Sequence, residues 1–155
     1  MNRLSALLLS FFLVGVANAQ SSGQARVQVG VSPILSLGVA EASVELAEDA
    51  STWVSYALTS NAPEAVILFE WLDPIPAGVD IRAQAIPGLG ASTGIQQALP
   101  GDPVILVHQF GRGLDRDGRI AFEISRDAPP FEARGRLGLQ GLGITRWVEV
   151  PFSVR

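Results

Sequence analysis

Glu64-Ala-Val-Ile-Leu-Phe-Glu-Trp-Leu72 is fenced by Asn61-Ala-Pro63 before it and Asp73-Pro-Ile-Pro76 after it. Its length and its β-branched and aromatic content read as one β-strand, and the prolines on either side stop it there. At a period of two, Ile67, Phe69 and Trp71 point one way while Val66, Leu68 and Leu72 point the other, interrupted only by Glu70. A strand that is apolar on both faces wants cover on both. If Ile67, Phe69 and Trp71 fill a core, then Val66, Leu68 and Leu72 are a candidate interaction surface for a partner or another copy.

Outward from this strand the same arithmetic recurs. Ala25 to Val31 alternates, with Val27, Val29 and Val31 on one face, and reads as a first strand that could also be donated to a neighbour's sheet. Ser32-Pro33 breaks it before Ile34-Leu-Ser-Leu37. Val44 and Leu46 alternate in Ala42 to Ala47, and Val54, Tyr56 and Leu58 in Thr52 to Thr59, so the two runs are expected to pair as a hairpin. Ala, Glu and Leu between Val39 and Ala50 would also suit a helix, but Glu41, Glu45 and Glu48 would then repel along one face.

Beyond Pro76, Val79 to Ala85 alternates, Pro87 to Gly94 reads as a loop, and Val104-Ile-Leu-Val-His-Gln-Phe110 is a second two-faced strand. Asp117-Gly118 suggests the tip of a hairpin leading into Ile120, Phe122 and Ile124. Phe131 to Leu139 and Ile144 to Val154 form a last pair, and Pro151 needs its missing N–H to point off the ladder, at an edge.

Seven to nine strands punctuated by proline and glycine describe an all-β fold, a single antiparallel β-sandwich. Ser55-Tyr-Ala-Leu-Thr-Ser-Asn61, the apolar strand after it and Pro76-Ala-Gly-Val79 together resemble the immunoglobulin-like sandwich domains of exported bacterial surface and fimbria-type subunits. The resemblance implies an envelope or surface component. It departs from antibody-type domains, having no cysteine pair, and no functional residue carries over from it.

The chain begins like an exported protein. Arg3, the apolar run Leu7 to Val16 and Ala17-Asn-Ala19 form a signal peptide over residues 1–19, followed by a polar leader over residues 20–24 and the sandwich over residues 25–155. The apolar run is too short to span a bilayer, so no integral span is expected once it is cleaved. Removing 19 of 155 residues leaves 136, enough for one domain with an ordinary core. With no cysteine, stability must come from packing. Losing Arg3 moves the net charge from −4 to −5, and an acidic chain without a basic stripe is a poor nucleic-acid binder.

Candidate chemistry is sparse. His108 is the only histidine and has no Gly-x-Ser-x-Gly elbow for company, and one histidine without thiols is a poor zinc set. Asp115-Arg-Asp-Gly118 has the look of a calcium loop, but Gly113 and Ile124 occupy the first and closing ligand places. Gly88 to Gly94 is not a nucleotide fingerprint, because its third glycine comes one residue late. Glu70 with Glu123 or Asp73 could form an acid/base couple, though an outward, solvated Glu70 is the simpler expectation. An eight-stranded membrane barrel would carry aromatic girdles that one tyrosine and few other aromatics do not supply.

The expectation is therefore an exported, non-enzymatic structural or protein-interaction domain, periplasmic or on the cell surface, without cofactors or metals, assembling with a protein partner or itself through strand edges. The alternative is a ligand- or glycan-binding module that uses loops 88–94 and 111–118, with Trp53 or Trp147 as a stacking platform.

Overall fold

The alternating runs become strands β1 (Leu35–Val39), β2 (Val44–Glu45), β3 (Thr52–Ser60), β4 (Ala65–Trp71), β5 (Ile81–Ile86), β6 (Ala91–Ser92), β7 (Gln96–Gln97), β8 (Val104–Phe110), β9 (Gly113–Ile124), β10 (Phe131–Gly141) and β11 (Ile144–Val154). This computed structural model describes residues 30–48, 50–125 and 127–155, and the compact unit Pro33–Arg155 is treated by itself. The signal peptide, the leader, Val27 and Val29 lie outside the described residues. Gly30 to Ser32 carry no strand, and the described residues between Val39 and Ala50 hold the end of β1 and β2 rather than a helix.

Two sheets form a β-sandwich. One runs β1-β3-β9-β5-β7 and the other β2-β11-β10-β4-β8-β6, with every pairing antiparallel except the short β2 beside β11. Eleven strands exceed the seven to nine expected, but three have only two residues, and the eight longer ones fall within that range. The run Glu64 to Leu72 supplies β4, an interior strand whose Ile67, Phe69 and Trp71 are at most 1% exposed. They meet Phe122 from the opposite sheet and Phe152 from β11 in a cluster of edge-on rings, with Phe69 centred 4.9 Å from Phe122 and Trp71 4.8 Å from Phe152. Gly135, paired with Trp71, makes room for it, because a Cβ there would lie 2.7 Å from the Phe69 ring and 3.0 Å from that of Phe152.

Two expected hairpins are instead crossovers between sheets. β2 pairs with β11 and β3 with β1 and β9, so the turn between β2 and β3 changes layer. Thr52 ties that corner, its Oγ1 accepting from Ala47 N at 3.2 Å and donating to Glu45 O at 3.3 Å. β8 and β9 are likewise in different sheets, and Asp117-Gly118 lies inside β9 rather than at a tip. Local alternation does not say which sheet a strand joins. By contrast, β10 and β11 do form the expected hairpin, turned by Leu142 and Gly143 at φ 53° and 74°.

The Asp-x-Asp-Gly segment is a β-bulge. The pairing of β3 with β9 steps from Tyr56↔Gly118 to Leu58↔Asp115, leaving Arg116 and Asp117 opposite Ala57. Asp115 is 2% exposed, and its carboxylate accepts from Gly88 N and Leu89 N at 2.9 and 3.0 Å and from Asp117 N at 3.1 Å. One buried carboxylate thus fixes the bulge and pins the segment that leaves β5. Tyr56 lies beside it, its hydroxyl buried without a well-formed hydrogen bond. Burial, and then the Asp115 charge, raise the phenol's pKa far above its ordinary value, so the ring stays neutral. Gly118 is where that ring lies: a Cβ there would fall on top of Tyr56.

Gly118→Ala is therefore expected to cost about 1–3 kcal/mol by overpacking. Urea denaturation in a double-mutant cycle should show the cost shrinking in a Tyr56→Leu background, whereas equal costs in both backgrounds would refute the steric account.

At the end of β4, Asp73 grips Arg134 of β10 through Nε and Nη2 at 3.0 and 2.9 Å and also accepts from Arg134 N at 2.8 Å. The Arg134 side-chain hydrogen bonds, then its backbone N–H, hold the Asp73 carboxyl at about 2, below its ordinary 3.8. A carboxyl depressed in the folded state favours folding above the unfolded pKa, and that contribution fades as pH falls toward the folded one. Asp73→Asn should accordingly flatten the fall of the urea midpoint between about pH 4 and pH 2. An unchanged acid limb would show that the pair contributes nothing there.

Candidate interaction surfaces

The outer edge of β11 exposes backbone polar groups. Arg134 directs both its N–H and its C=O toward the β4 side, accepting from Leu72 N at 2.8 Å and donating to Asp73. Its partner across the β10/β11 ladder, Pro151, therefore faces away from β10, and so do Glu149, Trp147 and Thr145 by strict alternation. Beyond Pro151 the edge is taken by β2, with Leu46 N reaching Ser153 O at 2.8 Å. Among the described residues nothing pairs with Thr145, Trp147 and Glu149 on that side. Pro151 has the edge position that its missing N–H requires.

On the second face of β4 the three apolar residues differ in burial. Leu68 is 8% exposed, while Val66 and Leu72 are half-buried. Leu68 pairs with Gly138, which pairs with Trp147, and a Cβ on Gly138 would lie 2.6 Å from the Trp147 ring. The indole thus settles over the glycine. Arg136 stacks on it with its guanidinium 4.1 Å from a ring centroid, while its Nη2 and Nε reach Glu70 Oε2 at 2.6 and 2.8 Å. Of the other expected contact residues, Val31 is 76% exposed.

The outer face of the five-stranded sheet is more open. Register places Trp53, Ala121 and Gln84 in one row across β3, β9 and β5, and Glu123, Arg82 and Gln97 in the next. Trp53 is 41% exposed, although Arg119 approaches its ring centroid to 5.4 Å. Glu123 and Arg82 of the second row line an open groove of about 450 Å³, together with Ser51, Asp80 and Ser125. Its polar groups hold one another: Ser51 Oγ donates to Glu123 at 3.0 Å, Arg82 Nε to Asp80 Oδ2 at 3.0 Å and Gln97 Nε2 to Asp80 Oδ1 at 2.9 Å.

The structure disperses the remaining sequence candidates. Glu70 faces out from the six-stranded sheet and Glu123 from the five-stranded one, so they form no couple, and Asp73 is engaged by Arg134. His108 is half-buried on β8, paired with Ala91, and among the described residues its side chain has no serine or carboxylate partner. No cluster of three metal-ligating side chains occurs among the described residues. Loop 88–94 is pinned at both ends, by Asp115 and by Thr93 Oγ1 donating to Ile105 O at 2.6 Å, and most of loop 111–118 is strand. Sequence reading named Trp53 as a platform but missed Gln84, Arg82 and Asp80, whose only signal was the outward phase of Val79 to Ala85.

No protein-family model matches the sequence, and no curated protein matches it. Similar solved structures include a lipoprotein from Bacteroides thetaiotaomicron at 15% identity and TM-score 0.47, covering 81% of this chain and 84% of that one. A pilin subunit from enterotoxigenic Escherichia coli is similar at 8% identity and TM-score 0.38, covering 76% and 95%. A family 123 glycoside hydrolase from Clostridium perfringens is similar at 10% identity and TM-score 0.37 over 78% of this chain but only 27% of its own. Similarity at this level does not extend to what those proteins bind or do.

Proposed function

We propose that this chain is an exported, non-enzymatic interaction domain of the cell envelope or surface that takes up a β-strand from a protein partner along the free edge of β11. The observation that carries the reading is the unpaired run Thr145, Trp147 and Glu149, three successive edge positions each offering an N–H and a C=O. An extended segment laid there gains main-chain hydrogen bonds without displacing a paired strand among the described residues. Long open edges are ordinarily blunted by prolines, charges or covering loops. Here Pro151 blunts only the end nearest β2. The alternating segment Ala25 to Val31 of a second copy has the length and periodicity to occupy it. The signal-like start, Met1 to Ala19, supports export to the periplasm or surface.

A second reading, ligand binding, is favoured by a separate observation, the exposure of Trp53 on the other sheet.

Size-exclusion chromatography with light scattering on residues 20–155, compared with a version lacking residues 20–31 and with Glu149→Pro, tests the edge reading. Assembly in the first and monomers in the other two are expected. The new proline removes an edge-facing N–H, as Pro151 already does, and Glu149→Ala, which keeps the N–H and loses only the carboxylate near Arg134, is the control. Monomers in all three would remove the self-assembly argument, and assembly unaffected by Glu149→Pro would move the interface away from β11.

A further inference from the structure

We infer that the outer face of the five-stranded sheet is a saccharide-binding site, with Trp53 as the stacking platform and Gln84, Arg82 and Glu123 as the hydroxyl-reading groups. This deepens the ligand-binding reading and is independent of the β11 edge. A saccharide asks for two things at once: a flat apolar surface for the C–H face of the ring, and planar donors and acceptors at its rim for the hydroxyls. Trp53 supplies the first. Exposing two-fifths of an indole to water has no benefit for the core, and Arg119 beside the ring limits its freedom to swing.

The second requirement is met one pleat repeat away, roughly 7 Å along the strands. There Glu123 and Arg82 line the groove with Gln97 next in their row, while Gln84 stands in the same row as Trp53. These side chains rise from paired strands, so their positions are set by ladder geometry rather than by a mobile loop. Hydrogen bonds with Ser51 and Asp80 hold Glu123, Arg82 and Gln97 in place before any ligand arrives, which lowers the ordering cost of binding. Gln84 and the Oε2 of Glu123 have no partner among the described residues and so remain available.

Charge decides the class of sugar. The groove sets Asp80 and Glu123 against Arg82, and Arg119 stands at the Trp53 end, so the face carries two carboxylates and two guanidiniums in balance. A balanced face offers no net attraction to an anionic sugar, whereas neutral hydroxyls can donate to the carboxylates and accept from the guanidiniums. The open groove admits a chain rather than enclosing a single ring, and its volume is within the range of ordinary ligand sites. The occupant is therefore a neutral oligosaccharide lying across Trp53 into the groove.

The test applies residues 20–155 to an array of neutral and sialylated glycans that includes glucose, mannose and N-acetylglucosamine oligomers, and titrates the bound class by tryptophan emission. At least one neutral class should bind. Trp53→Ala should weaken binding about tenfold or more, close to 1.4 kcal/mol. Trp53→Phe, which keeps a flat ring, should fall between, and Gln84→Ala should lose several-fold. Leu114→Ala, exposed on the same face but at its far end, should bind like the parent. Each variant is checked for the parent's circular dichroism and urea midpoint, and the Gln84 variant carries the test if Trp53→Ala does not fold. Binding of no neutral glycan, preference for sialylated ones, or full affinity in Trp53→Ala would overturn the proposal. None of those results would bear on strand uptake at β11.

Discussion

The sandwich depends on four rings meeting edge to face where its layers touch. Phe69, Trp71 and Phe152 come from one sheet and Phe122 from the other, with centroids 4.8 to 5.9 Å apart in the five contacting pairs. Such pairs contribute about 0.5–1.5 kcal/mol each beyond the area they bury. In a chain without disulfides, this cluster joins the layers through Phe122, and it constrains the backbone around it. Gly135 has to be glycine because two of the rings occupy the place of its Cβ. The same logic holds at the other end of the core, where the Tyr56 ring leaves no room for a side chain on Gly118, at the edge of the β9 bulge.

What sequence made legible follows from what is local. The pleat of β3, β4, β5 and the β10/β11 hairpin could be read directly, since alternation and turn residues are properties of neighbouring positions. The partition into sheets could not, because β2 next to β3 and β8 next to β9 look like hairpins until each finds a distant partner. Asp117-Gly118 carries the chemistry of a turn and serves as a bulge, since the ring that requires it lies some sixty positions earlier in the chain. The apolar second face of β4 is legible from the sequence as a run of alternate apolar positions. That Trp147 would be laid over Gly138 depends on a register that no local pattern encodes. Trp53 stood out as an aromatic in an alternating strand, whereas the polar groups beside it are assembled only by pairing β9 with β5 and β7.

The edge of β11 shows how one residue can both permit and limit an interface. Pro151 is compatible with the ladder only because the β10/β11 register turns its nitrogen outward. That same phase turns the N–H groups of Thr145, Trp147 and Glu149 outward too. A shift of one residue would put the proline nitrogen against β10 and reverse every side chain of β11 between core and solvent. The register that buries Val150, Phe152 and Val154 is thus the register that leaves a pairable edge.

The two outer faces repeat one arrangement with different outcomes. Each sheet carries a tryptophan opposite a small residue, with an arginine nearby: Trp147 opposite Gly138 with Arg136, and Trp53 opposite Ala121 with Arg119. Over Gly138 the indole sinks to within contact of the backbone, and Arg136, anchored by Glu70 at 2.6 Å, closes on it at 4.1 Å. Over Ala121 a methyl group stands in the way, and Arg119, whose cross-strand neighbours are Ser55 and Ile86 rather than a carboxylate, reaches only 5.4 Å. One ring lies over Gly138, and the other stays raised and accessible. The difference between an indole laid down on its sheet and one left raised therefore follows a single methyl group and where the nearest carboxylate falls.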